Sequence, residues 1–200
     1  MKHTFIIFSL IIFSFIILLI LFISGCSLFD TRTPEPPTQN GGTFIPPTSP
    51  DIVIDNFIDC IRNKNVDNYI ACFDSAYVFV ASGNAITMFP SFFDNWKVSN
   101  ERRYFLALTT TLGQSNSFNI NLFNKNFEIM TADSVVLVAD YNIYMDWYNV
   151  NYPSEYEGKL LFTIVPTQNG LWGISRWQDF QFNNADSKEP ISFLKAYFHN

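Results

Sequence analysis

An α+β domain, with helices first and strands after, is what this 200-residue chain predicts. Apolar residues between 51 and 73, and again between 100 and 112, recur at the three-and-four spacing of a helix face. From residue 118 onward the period changes to two, as in half-buried strands. Turn residues separate those strands, Asn169-Gly170 above all. Helices grouped ahead of an antiparallel meander belong to an α+β fold, whereas a parallel sheet would alternate helix and strand throughout.

Each element has a local cause. Ser49-Pro50-Asp51 starts the first helix, with Ser49 as N-cap, Pro50 at the first helical position and Asp51 favourable to the helix dipole. Ile54, Phe57, Ile58 and Ile61 form its stripe, and Asn63 or Lys64 ends it. A second helix over 66–73 is capped by Asn65 and aligns Val66, Tyr69, Ile70 and Phe73, so the two make a helical hairpin. A short strand follows over 77–81, then a loop through Pro90 to Trp96. A third helix over 100–112 carries Tyr104, Phe105, Leu108 and Leu112, and Gly113 closes it. Strands are expected at 118–123, 134–144, 158–165 and 171–182. The tail places apolar residues at 194, 197 and 198, the pattern of one short amphipathic helix that caps the domain or closes against the hairpin, with a docking peptide for another envelope protein as the less favoured alternative.

Composition narrows the function classes. With 48% hydrophobic and 15% charged residues the chain is not disordered. Its formal charge of −6 becomes −7 (11 basic against 18 acidic residues) once Lys2 is removed with a leader. An acidic body is a poor match for nucleic acid or an anionic lipid surface, because it releases no counterions from a like-charged partner. The only two histidines are His3, in the leader, and the penultimate His199, so imidazole catalysis in the body requires the terminus to fold back. No Cys/His cluster offers metal ligands, and no phosphate loop or nucleophile elbow is present. No cofactor or metal is expected.

The leader sets the expected location. Met1-Lys2-His3 is a short cationic start, and residues 5–23 contain no charge and no polar residue except Ser9 and Ser14. Ile23-Ser24-Gly25-Cys26, followed by Ser27 and a proline-rich tract, resembles the lipobox of bacterial lipoproteins. That resemblance implies cleavage before Cys26 and acylation of its thiol. Several acyl chains, at roughly 0.8 kcal/mol per buried methylene, give a lasting anchor. The expected organisation is a signal peptide over 1–25, a lipidated spacer over 26–49 and one domain over 50–200. The expected location is the bacterial cell envelope, outside the cytoplasm, on either the outer or the plasma membrane.

The order of elements, the hairpin Phe57-x-x-Cys60-Ile61-x-x-Lys64-Asn65-Val66-Asp67-x-Tyr69 and the closing Gly170-Leu171-Trp172-Gly173-Ile174-x-x-Trp177-x-Asp179 resemble the nuclear transport factor 2-like superfamily over residues 51–182. The resemblance implies a sheet curled around the helices into a cone with a pocket at its wide end. It also implies a choice, because that fold hosts isomerases, cyclases and dehydratases beside modules with no activity.

Asp140, Asn142, Tyr144 and Asp146 share one strand face, and Val135, Leu137, Ala139, Tyr141, Ile143 and Met145 the other. With the polar set inside the cone, Asp140 would be a carboxylate base beside Tyr144; with it outside, these are solvated residues, the preferred reading. Asp179, beside Arg176 and Trp177, has the same two readings: a pocket carboxylate or, the preferred one, half of an ion pair or a structural carboxylate. Trp96, Trp147, Trp172 and Trp177 could offer a stacking platform, though a cone this rich in Phe more readily takes them as core; Trp96 and Trp147 are expected in exposed loops. Export makes a Cys60–Cys72 disulfide conceivable, but a three-residue offset in the hairpin, about 4.5 Å of helix rise, favours two buried thiols. The expectation is an exported lipoprotein whose domain binds a small apolar ligand or an envelope protein without catalysis; the alternative is a small carboxylate-based isomerase, cyclase or dehydratase.

Overall fold

The computed structural model describes residues 44–147 and 151–199. The leader, Cys26 and the spacer up to residue 43 lie outside them. Among the described residues no helix is long and apolar enough to cross a membrane.

Helix α1 (Pro50–Arg62) begins where the sequence places it, with Ser49 extended at the N-cap and Val53, Ile54, Phe57, Cys60 and Ile61 buried. Helix α2 (Val66–Ala71) is capped as expected by Asn65, whose side chain accepts from the Asn68 amide at 3.0 Å. It stops two residues short of the expected end, because Phe73 already pairs with Ile174 in the sheet and starts β1 (Phe73–Val80). Helix α3 (Gly83–Met88), capped by Ser82, occupies part of the expected loop; six residues with a leading glycine and no apolar stripe leave little periodicity to read. Helix α4 (Val98–Leu112) follows, closed by Gly113 at φ 68°.

The sheet is completed by β2 (Phe118–Met130), β3 (Val135–Met145), β4 (Glu155–Pro166) and β5 (Trp172–Phe180). The strand order is β1-β5-β4-β3-β2. Strands β2 to β5 form the expected antiparallel meander, and β1 adds itself parallel to β5 at the edge, so the sheet is mixed. A parallel edge follows from the long crossover, since α3, α4 and three strands separate β1 from β5 in sequence. Gly170, at φ 73°, makes the β4–β5 turn; Asn169 does not use the left-handed region.

Val135, Leu137, Ala139, Tyr141, Ile143 and Met145 face the helices, opposite Tyr156, Gly158, Leu160, Phe162 and Ile164 of β4. The concave face is aromatic: Phe57, Phe162 and Trp177 meet edge to face with centroids 5.0 to 5.5 Å apart, and Tyr69 stacks on Phe105 at 4.0 Å. Residues 44–49, placed in the spacer by sequence, run along this domain. Asn56 of α1 exchanges two hydrogen bonds with Ile45, and the Trp172 amide donates to the Pro47 carbonyl at 2.7 Å. Packing therefore begins before residue 50.

The last element, α5 (Ile191–Tyr197), enters the mouth of the cone. All of Ile191 to Ala196 is buried, which is more than the single amphipathic face read from the sequence. Its flanks are also covered: Phe193 and Tyr197 pack on Phe89, and Phe198 on Trp147 and Tyr152.

Candidate functional site

Two buried carboxylates meet α5 inside the cone. Glu101 occupies the first turn of α4, on the same stripe as Tyr104, Phe105 and Leu108, and is fully buried. Its Oε1 accepts from the Tyr77 hydroxyl at 2.6 Å, from the Trp96 indole N–H at 2.9 Å and from the Lys195 ammonium. Its Oε2 accepts from the Tyr69 hydroxyl at 2.9 Å. Donors from α2, β1, the loop before α4 and α5 thus converge on one side chain.

Lys195 is equally buried, and aromatic faces surround its Nζ: Phe79 at 3.9 Å and Trp177 at 4.0 Å from the ring centroids, Tyr104 and Trp96 at 5.4 and 5.7 Å. A buried ammonium is expensive alone; a carboxylate in direct contact and ring quadrupoles around it offset the lost hydration. Burial still pulls its pKa down to about 8, against the raising effect of Glu101 and Asp179. The tyrosines around Glu101 are held well above their usual range, by burial first and then by the carboxylate's charge.

Asp179 lies on β5, two residues beyond Trp177, and faces the same interior. Its Oδ1 accepts from the Tyr141 hydroxyl at 2.7 Å; its Oδ2 accepts from the Ser192 amide at 2.9 Å and from the Ser192 hydroxyl. The network continues, since Tyr141 accepts from the Ile191 amide at 2.7 Å and Ser192 Oγ from the Ser82 amide at 2.9 Å. Burial raises the Asp179 carboxyl, while Ser192, Tyr141 and the Lys195 charge oppose it. Both oxygens of each carboxylate already accept from donors of the chain itself, so a substrate would compete with these bonds while α5 is seated.

The residues singled out from the sequence separate into two groups. Trp96, Trp177 and Asp179 come together in the cone. Asp140 and Tyr144 lie on the outer face, where Asp140 accepts from Asn124 Nδ2 at 2.8 Å and stands 3.7 Å from Lys159, and Tyr144 is exposed. Strand β3 points its apolar set inward, which puts Asp140 outside the cone. Trp96, expected in an exposed loop, is only 1% exposed, because its indole turns inward to Glu101. Trp147 is half-buried with its N–H unpartnered. Cys60 and Cys72 are both unbridged; burial pushes the Cys60 thiol up, and a hydrogen bond with Cys72 adds to the shift. The terminus does fold back: His199 packs 4.7 Å from Trp96 and meets Asn100 Nδ2 at 3.0 Å, its pKa lowered by burial.

Glu101, Lys195, Tyr69 and Tyr77 escaped the sequence reading as polar centres. A signal was present, because Glu101 stands three and four residues ahead of Tyr104 and Phe105 on an apolar stripe, and Lys195 interrupts an otherwise apolar tail. A charge at a core position is informative only when its partner is known, and these partners are 94 residues apart.

No protein-family model matches the chain, and no curated protein does. Solved structures do. A protein assigned as a scytalone dehydratase from Novosphingobium aromaticivorans superposes with a TM-score of 0.52 at 11% identity, over 70% of this chain and 89% of its own. A protein assigned as an aromatic ring hydroxylase from the same organism gives 0.50 at 14% identity, over 65% and 84%. The β subunit of the benzoate 1,2-dioxygenase of Burkholderia mallei gives 0.50 at 12%, over 65% and 86%. Identities this low carry the fold and say nothing of the chemistry. The chain has the cone-shaped α+β fold of the nuclear transport factor 2-like, cystatin-like proteins, with its own C-terminal helix in the mouth of the cone.

Proposed function

We propose that this chain is an exported bacterial lipoprotein, anchored through acylated Cys26, whose domain is a non-catalytic binding module at the cell envelope. One observation carries the non-catalytic half: both oxygens of each cone carboxylate, Glu101 and Asp179, are engaged by internal donors, three of which belong to α5. An isomerase, cyclase or dehydratase of this fold would need a carboxylate free to take a proton from substrate. Asp140, the other candidate base, lies on the outer face with Asn124 and Lys159. The lipobox sequence supports the anchor, and the proline-rich segment behind it supports a spacer between membrane and domain.

Intact mass spectrometry of the full chain expressed in a bacterial host tests the anchor. The expected species begins at Cys26 and carries fatty acyl chains, and Cys26→Ala accumulates as an unprocessed, unacylated precursor. A wild-type protein that retains residues 1–25 and carries no lipid overturns the proposal.

A further inference from the structure

The surroundings of Lys195 have the composition of a receptor. One carboxylate contacts the ammonium, and four aromatic rings lie within 3.9 to 5.7 Å of it. Apart from Lys195 itself, every component comes from another element: Glu101 and Tyr104 from α4, Phe79 and Tyr77 from β1, Tyr69 from α2, Trp96 from the loop before α4 and Trp177 from β5. Tyr69, Tyr77 and Trp96 hold the Glu101 carboxylate in place without help from α5. Removal of Lys195 therefore leaves an oriented anion inside an aromatic cage. A second observation marks the same place, since the buried Trp177 N–H has no hydrogen-bond partner.

The occupant is a short element held at identifiable points, the bonds of its first turn to Asp179 and Tyr141 and the pair of Lys195 with Glu101. Helix α5 has seven residues, and a helix that short is marginal by itself. It is joined to β5 by an irregular segment whose residues 183–186 are exposed. A short element joined through an exposed irregular segment can open sub-globally at lower free energy than the whole domain.

We propose that the cone is a binding site for a primary alkylammonium compound, and that α5 is its built-in competitor, presenting Lys195 as the ligand in the closed form. A primary ammonium is specified because Glu101 Oε1 accepts an N–H from the occupant, which a quaternary ammonium cannot donate, while the rings stabilise the charge. The inference deepens the binding-module reading by naming a ligand class. It is independent of the lipid-anchor experiment, so failure of one leaves the other standing.

The test uses the full chain carrying Lys195→Ala, which deletes the equivalent of n-propylammonium, followed by tryptophan fluorescence. Saturable binding of n-propylammonium is expected, at least tenfold tighter than n-propanol, and weakened at least tenfold by adding Glu101→Gln. No saturable response, or equal response to the alcohol, overturns the site. Should Lys195→Ala fail to fold in plain buffer, refolding is repeated with n-propylammonium chloride or n-propanol. Recovery of the native circular dichroism only with the ammonium supports the site, and recovery with both or neither overturns it. For the competitor role, amide exchange across residues 190–198 of the wild-type protein should accelerate severalfold in n-butylammonium chloride relative to sodium chloride. Unchanged exchange overturns that role.

Discussion

Ser192 donates both its amide and its hydroxyl to a single oxygen of Asp179, while Tyr141 holds the other oxygen and in turn receives the Ile191 amide. The first turn of α5 is thereby attached to β5 and β3 through one buried carboxylate. Deleting it with Asp179→Ala leaves two Ser192 donors and the Tyr141 hydroxyl without an acceptor in a dry site. A loss of about 3 kcal/mol is expected in urea unfolding. Amide exchange in 190–198 should rise more than in β3 or β4; uniform acceleration across the domain would mean that Asp179 supports the sheet and not the helix.

The second attachment, Glu101 with Lys195, behaves as a pair. Glu101→Gln leaves a buried ammonium facing a neutral amide and should destabilise by roughly 3–5 kcal/mol. Replacing both, with Glu101→Gln and Lys195→Met, removes the uncompensated charge and should recover much of that loss. Additive losses in the double-mutant cycle would show that the two charges do not interact in solution.

A pH dependence follows from the same lysine. Its folded pKa is lowered from 10.5 to about 8, so between those values the unfolded chain binds the extra proton and stability rises with pH. This contribution is present above 10.5 and is lost as pH falls through about 8. Relative to Lys195→Met, in which the buried tyrosines contribute alike, the wild type should gain on the order of 2–3 kcal/mol between pH 7 and 10. Parallel stability curves for the two proteins would show that Lys195 titrates as an exposed amine.

Gly158 of β4 is needed for space, not for its backbone angles. A Cβ there would lie 2.5 Å from the Phe180 carbonyl oxygen and 2.7 Å from the Tyr141 hydroxyl. Tyr141 can retreat only by giving up Asp179 and the Ile191 amide. Gly158→Ala should therefore cost about 2–3 kcal/mol and loosen α5, read as a lower melting temperature with faster exchange in 190–198. A melting temperature within a degree of wild type would count against this crowding.

Locally caused elements were legible in the chain. The Ser49-Pro50 start of α1, the Asn65 cap of α2, the Gly113 stop of α4 and the period-two faces of β3 and β4 all appear where sequence places them, because each is decided within a few residues. Helix α3 and the early start of β1 were not legible: the former has no periodicity, and the latter depends on pairing with Ile174, a hundred residues away. Trp96 shows the same limit, since a tryptophan in a loop reads as exposed until the carboxylate that turns it inward is located.

The chain by itself determined the fold class, the order of its elements and which face of each strand is apolar, since these follow from periodicity and caps that act over a few residues. Only the tertiary structure decided that Asp140 lies outside, that Glu101 and Asp179 lie inside, and that the tail helix occupies the cone. Those outcomes depend on which side of the sheet curls inward and on pairings between distant residues, and the energy of a buried charge is set by its partner and not by its neighbours in sequence.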